Sequence, residues 1–391
     1  MEKDNDQIWN GSFLFVCWTY FFILLAFISL RVISGFGWLH NIDIRWVEIG
    51  FSFLSQVIIM AAMPIIAMFL YKRRKERNQD ISLVAEKPKV NLFTSFGFDK
   101  PSWKVIGMAF LLGILIYFFN IFVASFFNGI LSMFGFRMPT GMGSMPFTGI
   151  WGLFISLTLI AVLPGICEEV SHRGMLLKSF ESRMGVMRAI LFSSILFGFM
   201  HLNIIQVFYA AILGYIIALA TVATKSLWVG IIMHFMNNAL GTYFSIAHNY
   251  GWVGGNLLHH MMDIFATAGG IVLYIAFIIF LVWSIFKIIH HLASEKYNNN
   301  KTGYLAEIIK RNPEMLNKQN GGIYTFDEFT QKIDFNVKRS TMWAQTKFFL
   351  DPTIILPKKP MNLTRHEKVI FYGVLFMGGV ITIFTMVWGF L

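Results

Sequence analysis

The chain has 391 residues, of which 56% are hydrophobic and only 14% charged, where an ordinary soluble domain is roughly 25% charged. A soluble fold could not hide that much apolar surface, which excludes cytosolic enzymes, nucleic-acid-binding domains and disordered chains. The net charge of +11 is read instead as a signal of membrane orientation, so the chain is expected to be an integral membrane protein that meets the bilayer and binds no nucleic acid.

A bilayer core needs about 20 mostly apolar residues per helix. In chain order the qualifying stretches are 10–32, 46–71, 105–134, 149–182, 187–203, 204–224, 227–247, 263–288 and 369–390. The predicted fold class is all-α, a polytopic bundle of about nine transmembrane helices. The N-terminal MEKDNDQ is acidic and the first apolar stretch is long, so it is expected to be a retained span rather than a signal peptide. Cys17 and Cys167 both fall in apolar runs and form neither a disulfide framework nor a CxxC site.

The predicted organisation is a set of N-terminal helices over 1–148 with a basic cytoplasmic loop at 72–104, and a core at 149–247. One more helix follows at 248–288, then a soluble cytoplasmic segment at 289–368 and a last helix at 369–391. Sidedness follows from Lys and Arg. With the N-terminus inside, Lys3, the 72–104 loop, Lys178, Arg183, Arg188, Lys225 and the basic residues of 287–368 face the cytoplasm. Only Arg31, Arg45 and Arg137 face out. The Asn- and Lys-rich soluble stretches suit a bacterial cell membrane.

Ionisable groups inside spans are costly and usually functional. The fourth span reads LIAVLPGICEEVSHRGMLLKSF and carries Glu168, Glu169, His172 and Arg173. Glu169 and Arg173 share a helix face and can pair. Glu168 points about 100° away and lacks that partner, which suits a buried carboxyl to general acid–base work. The fifth span carries Phe197 and His201. Glu168 and His201 lie almost equally far from Gly185, so an antiparallel pair turning there would set them at similar depth. In the seventh span His234 and Asn238 share a face and could donate to a developing oxyanion, whereas Asn237 lies on another face. Ser171, Ser193, Ser194 and Cys167 have no base at helical spacing, and a membrane serine usually bonds back to a carbonyl.

EExxxR (Glu168, Glu169, Arg173), FxxxH (Phe197, His201) and HxxxN (His234, Asn238), with the flanks RGMLL, ILFGFMHL and KSLWVGIIMHFMNN, resemble the CAAX prenyl protease 2 family and its bacterial relatives, the CPBP or Abi intramembrane proteases. The likeness covers roughly residues 149–245, and its Val170-Ser171-His172 is more polar than the family's usual apolar filling. The resemblance implies an intramembrane endopeptidase of the CAAX-protease or bacteriocin-processing type, acting on a peptide or membrane-protein substrate. Glu168 would activate water, His201 would hold or relay its proton, and His234 and Asn238 would stabilise the oxyanion. Glu169 and Arg173 would be an orienting pair. No cofactor is required, although Glu168, His201 and His234 are ligand types that a catalytic zinc accepts. Two other readings stay open: a catalytically silent scaffold that regulates a partner or confers bacteriocin immunity, and a proton-coupled transporter.

Overall fold

The computed structural model describes residues 8–9, 11–35, 42–78, 91–136, 147–265, 267, 269–300, 324–327, 332–335, 341–351 and 363–388. Helix α1 is Phe13–Gly35. Helix α2 is continuous, built from Ile44–Ser52, a π-helical stretch Phe53–Ala62, and Met63–Asn78. The short α3 is Leu92–Phe96 and the long α4 is Trp103–Met133. Helix α5 runs unbroken through Gly149–Ser156, π-helical Leu157–Val162, Leu163–Glu169, π-helical Val170–Leu177 and Lys178–Met184. There follow α6 (Val186–Met200), α7 (Ile204–Thr224), α8 (Leu227–Tyr250), α9 (Leu257–Phe265) and α10 (Gly270–Asn299). Strands β1 (Tyr324–Asp327) and β2 (Lys332–Phe335) form an antiparallel hairpin that pairs Tyr324 with Phe335, and helices α11 (Met342–Leu350) and α12 (Arg365–Trp388) complete the described chain.

This is the predicted all-α polytopic bundle with a different count. Among the described residues seven helices are long and apolar enough to cross a membrane. The fifth predicted span is the 15-residue α6, only ~22 Å long at 1.5 Å per residue, short of a hydrocarbon core of about 30 Å. The seventh becomes α8, whose apolar run is interrupted by His234, Asn237 and Asn238. The boundary at 288 also moves, because α10 continues to Asn299 and carries the bundle into the stretch expected to be soluble. Of the predicted loop 72–104, residues 79–90 lie outside the described residues, as do 301–323, 328–331, 336–340 and 352–362 of the predicted segment 289–368.

Helix α7 sits at the centre. Its small residues Ala210, Gly214, Ala218, Ala220 and Ala223 let neighbours come close. At Gly198 of α6 an added Cβ would meet the Val207 carbonyl at 2.6 Å. The α6–α7 connection is held by Asn203, whose side-chain oxygen accepts the Ile205 amide at 2.9 Å and caps α7.

Contacts gather one set of helix ends. Leu227 donates its amide to the Gly97 carbonyl at 2.7 Å and Ser226 its hydroxyl to that of Asp99. Lys104 pairs with Glu295, and Lys296 reaches the Val222 carbonyl at 2.8 Å. At the same end of α5, Ser179 meets Ser12 at 2.9 Å and Arg183 grips Glu367 at 2.7 Å. Thr364 and Glu367 form a reciprocal capping box at the start of α12. The buried Phe371 of α12 then packs against Phe13, Phe180 and Phe192.

Candidate active site

Glu168 and Glu169 end an α-helical segment of α5, immediately before the π-helical turn that carries His172 and Arg173. Single π-helical stretches inside α-helices are frequent at functional sites because the wider turn redirects side chains. Glu169 is fully buried, and one oxygen, Oε1, accepts from Arg173 Nη1 and from His234 Nδ1, both at 2.9 Å. The first and third motifs therefore meet on a single atom. Arg173 spends its other nitrogen on the Gly214 carbonyl at 3.0 Å and lies 4.4 Å from the centre of the Phe197 ring, a cation–π contact.

Phe197 is the common wall. Its ring centre lies 4.9 Å from that of His172, 5.2 Å from that of His201 and 5.6 Å from that of His234. His201 caps the C-terminus of the short α6. The residue that gave only a spacing in the sequence thus joins all three motifs in space.

Hydrogen bonds orient each imidazole, because carbonyls and carboxylates only accept. His172 donates Nδ1–H to the Glu168 carbonyl at 2.9 Å, His201 donates Nδ1–H to the Phe197 carbonyl at 3.0 Å, and His234 donates Nδ1–H to Glu169. Nε2 is then the titrating nitrogen of each ring. That of His172 lies 3.0 Å from the Tyr20 hydroxyl, which donates to the Leu196 carbonyl at 2.8 Å.

Glu168 is not left alone as the sequence suggested. Gln56, on the π-helical stretch of α2, donates Nε2–H to its Oε1 at 2.8 Å. Neither Glu168 Oε2 nor Gln56 Oε1 has a partner among the described residues.

Asn238 carries further contacts between helices. Its Nδ2 donates to the Ile160 carbonyl at 2.8 Å, and its Oδ1 accepts from Asn237, whose own oxygen accepts from Asn120 of α4. Asn237 therefore takes part in a ladder of amides rather than standing apart. Of the candidate nucleophiles, Ser193 and Ser194 bond back to the Ile190 carbonyl, while Ser171 Oγ has no partner among the described residues and Cys167 is buried.

Among the described residues no three His, Cys, Asp or Glu side chains are grouped so as to hold a metal ion.

Sequence reading missed Tyr20, Gln56 and Asn120, each a buried polar group in an otherwise apolar helix. That rarity was the available signal, but none of the three lies in a recognisable motif.

Residues 149–240 match the family model Rce1-like, described as Type II CAAX prenyl endopeptidase Rce1-like. No curated protein and no solved structure matches the chain. The matched stretch begins with α5, ends inside α8 and contains all three motifs, while Tyr20, Gln56 and Asn120 come from helices outside it. The stretch that builds the site is thus the one similar to the Type II CAAX prenyl endopeptidases, the likeness that the three motifs carry.

Proposed function

We propose that this protein is an intramembrane endopeptidase that hydrolyses a peptide bond with water activated by Glu168. Glu168 removes a proton from the water as its oxygen attacks the scissile carbonyl carbon. His201, with its ring fixed by the Phe197 carbonyl, holds or relays that proton to the departing amine.

His234 has a specific requirement. Its Nδ1–H is committed to Glu169, so it donates to an oxyanion through Nε2 only as an imidazolium. Arg173 shares that carboxylate oxygen and anchors it, which fixes the ring in turn. Asn238 has one Nδ2 hydrogen on Ile160 and a second for the oxyanion. The substrate is a peptide or membrane-protein segment entering from the bilayer or the cytoplasmic side, with the N-terminus of the chain in the cytoplasm.

The observation carrying this reading is the convergence of Arg173 and His234 on Glu169 Oε1 beside a ring that also touches His201. The test is cleavage of a peptide library by purified protein in detergent, comparing wild type with Glu168→Ala and His201→Ala. Loss of cleavage in both variants is expected; unchanged cleavage by Glu168→Ala would sink the assignment. One observation favours the scaffold reading, namely that the Asn238 amide is engaged in the helix ladder. On that reading, wild type and variants alike leave the library uncut.

A further inference from the structure

Of the buried polar atoms without a partner among the described residues, two sit on side chains that already touch. Gln56 and Glu168 are each more than nine-tenths buried and already joined by the Nε2–Oε1 bond of 2.8 Å. Their remaining oxygens, Gln56 Oε1 and Glu168 Oε2, are buried acceptors without a partner among the described residues. Two acceptors on side chains that already touch, in a site otherwise rich in committed donors, call for a small molecule that can donate twice. Water is that molecule.

We propose that Gln56 is a water-positioning residue of the hydrolytic site: the nucleophilic water donates one hydrogen to Glu168 Oε2 and the other to Gln56 Oε1. This rests on the reading of Glu168 as the base. With both hydrogens directed, the lone pair of the water oxygen points away from the two side chains, toward the place of the scissile carbonyl. On attack, the hydrogen held by Glu168 moves to the carboxylate, the O–C bond forms, and the electron pair of the C=O bond passes to the oxyanion. The hydrogen on Gln56 stays with the new hydroxyl.

The amide suits this task better than any charged group. It gives a hydrogen to the carboxylate and takes one from the water, and it cannot itself become the base. Its placement comes from α2. The π-helical stretch Phe53–Ala62 packs against α5 just before the two glutamates, and Ser52 fixes the register by donating to the Leu159 carbonyl at 3.2 Å.

The experiment uses the full chain in detergent with a peptide that the wild type cleaves. In Gln56→Leu, kcat is expected to fall about tenfold to a hundredfold, the loss of one hydrogen bond to a buried charged group, with KM unchanged. Difference infrared spectra, with Glu168→Gln identifying the Glu168 carboxyl band, are expected to show that band displaced in Gln56→Leu, because one hydrogen bond to the carboxyl has gone. If Gln56→Leu does not fold, Gln56→Asn, which keeps both polar atoms but withdraws them by one methylene, is expected to show a smaller loss of kcat. A Gln56 variant with wild-type kcat and an undisplaced Glu168 band, beside an inactive Glu168→Ala, overturns the assignment of Gln56 and leaves the protease reading standing. Cleavage surviving in Glu168→Ala overturns both.

Discussion

Glu169 shows how much one buried side chain can organise. It carries a salt bridge, fixes an imidazole and lies against a helix that lacks a side chain at Gly230, where an added Cβ would come within 2.9 Å of Glu169 Oε2 and 3.0 Å of Thr221 Oγ1. Gly230 is therefore required by proximity. Gly230→Ala is expected to displace the carboxylate and, through the His234 ring that it holds, lower kcat at least about tenfold; a turnover assay on the folded variant checks it. Arg173→Met leaves Glu169 as a buried charge without its counter-ion, and such losses cost about 3–5 kcal/mol. A large fall in melting temperature in detergent is the expected result, and an unchanged one would mean that another cation serves Glu169. At this scale the sequence was informative where chemistry repeats at helical spacing. The Glu169–Arg173 pair followed from four-residue spacing, but no local pattern announced that His234 would share the same oxygen.

Elements explain what spacing could not. The predicted periodicity assumed one uniform α-helix through 149–182, whereas α5 contains two π-helical stretches and the first two-thirds of α2 a third. π-helical turns leave no compositional mark that a hydropathy reading detects, so the side of α5 on which Glu168 would find Gln56 was not legible. The bond from Asn238 of α8 to the Ile160 carbonyl of α5 was not legible either. In Asn238→Leu that bond is lost, and the expected outcome is a fall in stability within about 1 kcal/mol, the scale of interhelical polar contacts in membranes, together with a lowered kcat. Unfolding in detergent and turnover, measured on the same sample, separate the two effects.

For the whole molecule, the positive charges grouped the helix ends by sequence, and contacts join members of that group: 97–104 with 222–227 and 295–296, and 178–184 with Glu367. The share of the bundle that lies outside the recognised family stretch was not readable, since it holds no motif, yet it supplies Tyr20, Gln56 and the cover of α6. Single cysteines placed at Lys100 and Glu295, in a background without Cys17 and Cys167, are expected to react with an impermeant thiol reagent from the same side of sealed vesicles. Labelling from opposite sides would contradict the bundle. Glu367→Ala removes both the capping box and the grip of Arg183 on α12, and a loss of about 1–2 kcal/mol, as for a helix cap, is expected in thermal unfolding.

The position of α12 has a consequence for how the protein is made. Helix α6 is too short to cross the hydrocarbon alone, and Phe371 and Gly378 of α12 close against its Phe192 and Phe199. During synthesis α5 to α8 leave the ribosome well before α12, so for that interval the helix bearing His201 waits with an uncovered flank. A nascent chain at that stage holds every motif residue but not the helix that covers α6, so the packing beside His201 is complete only once α12 has docked.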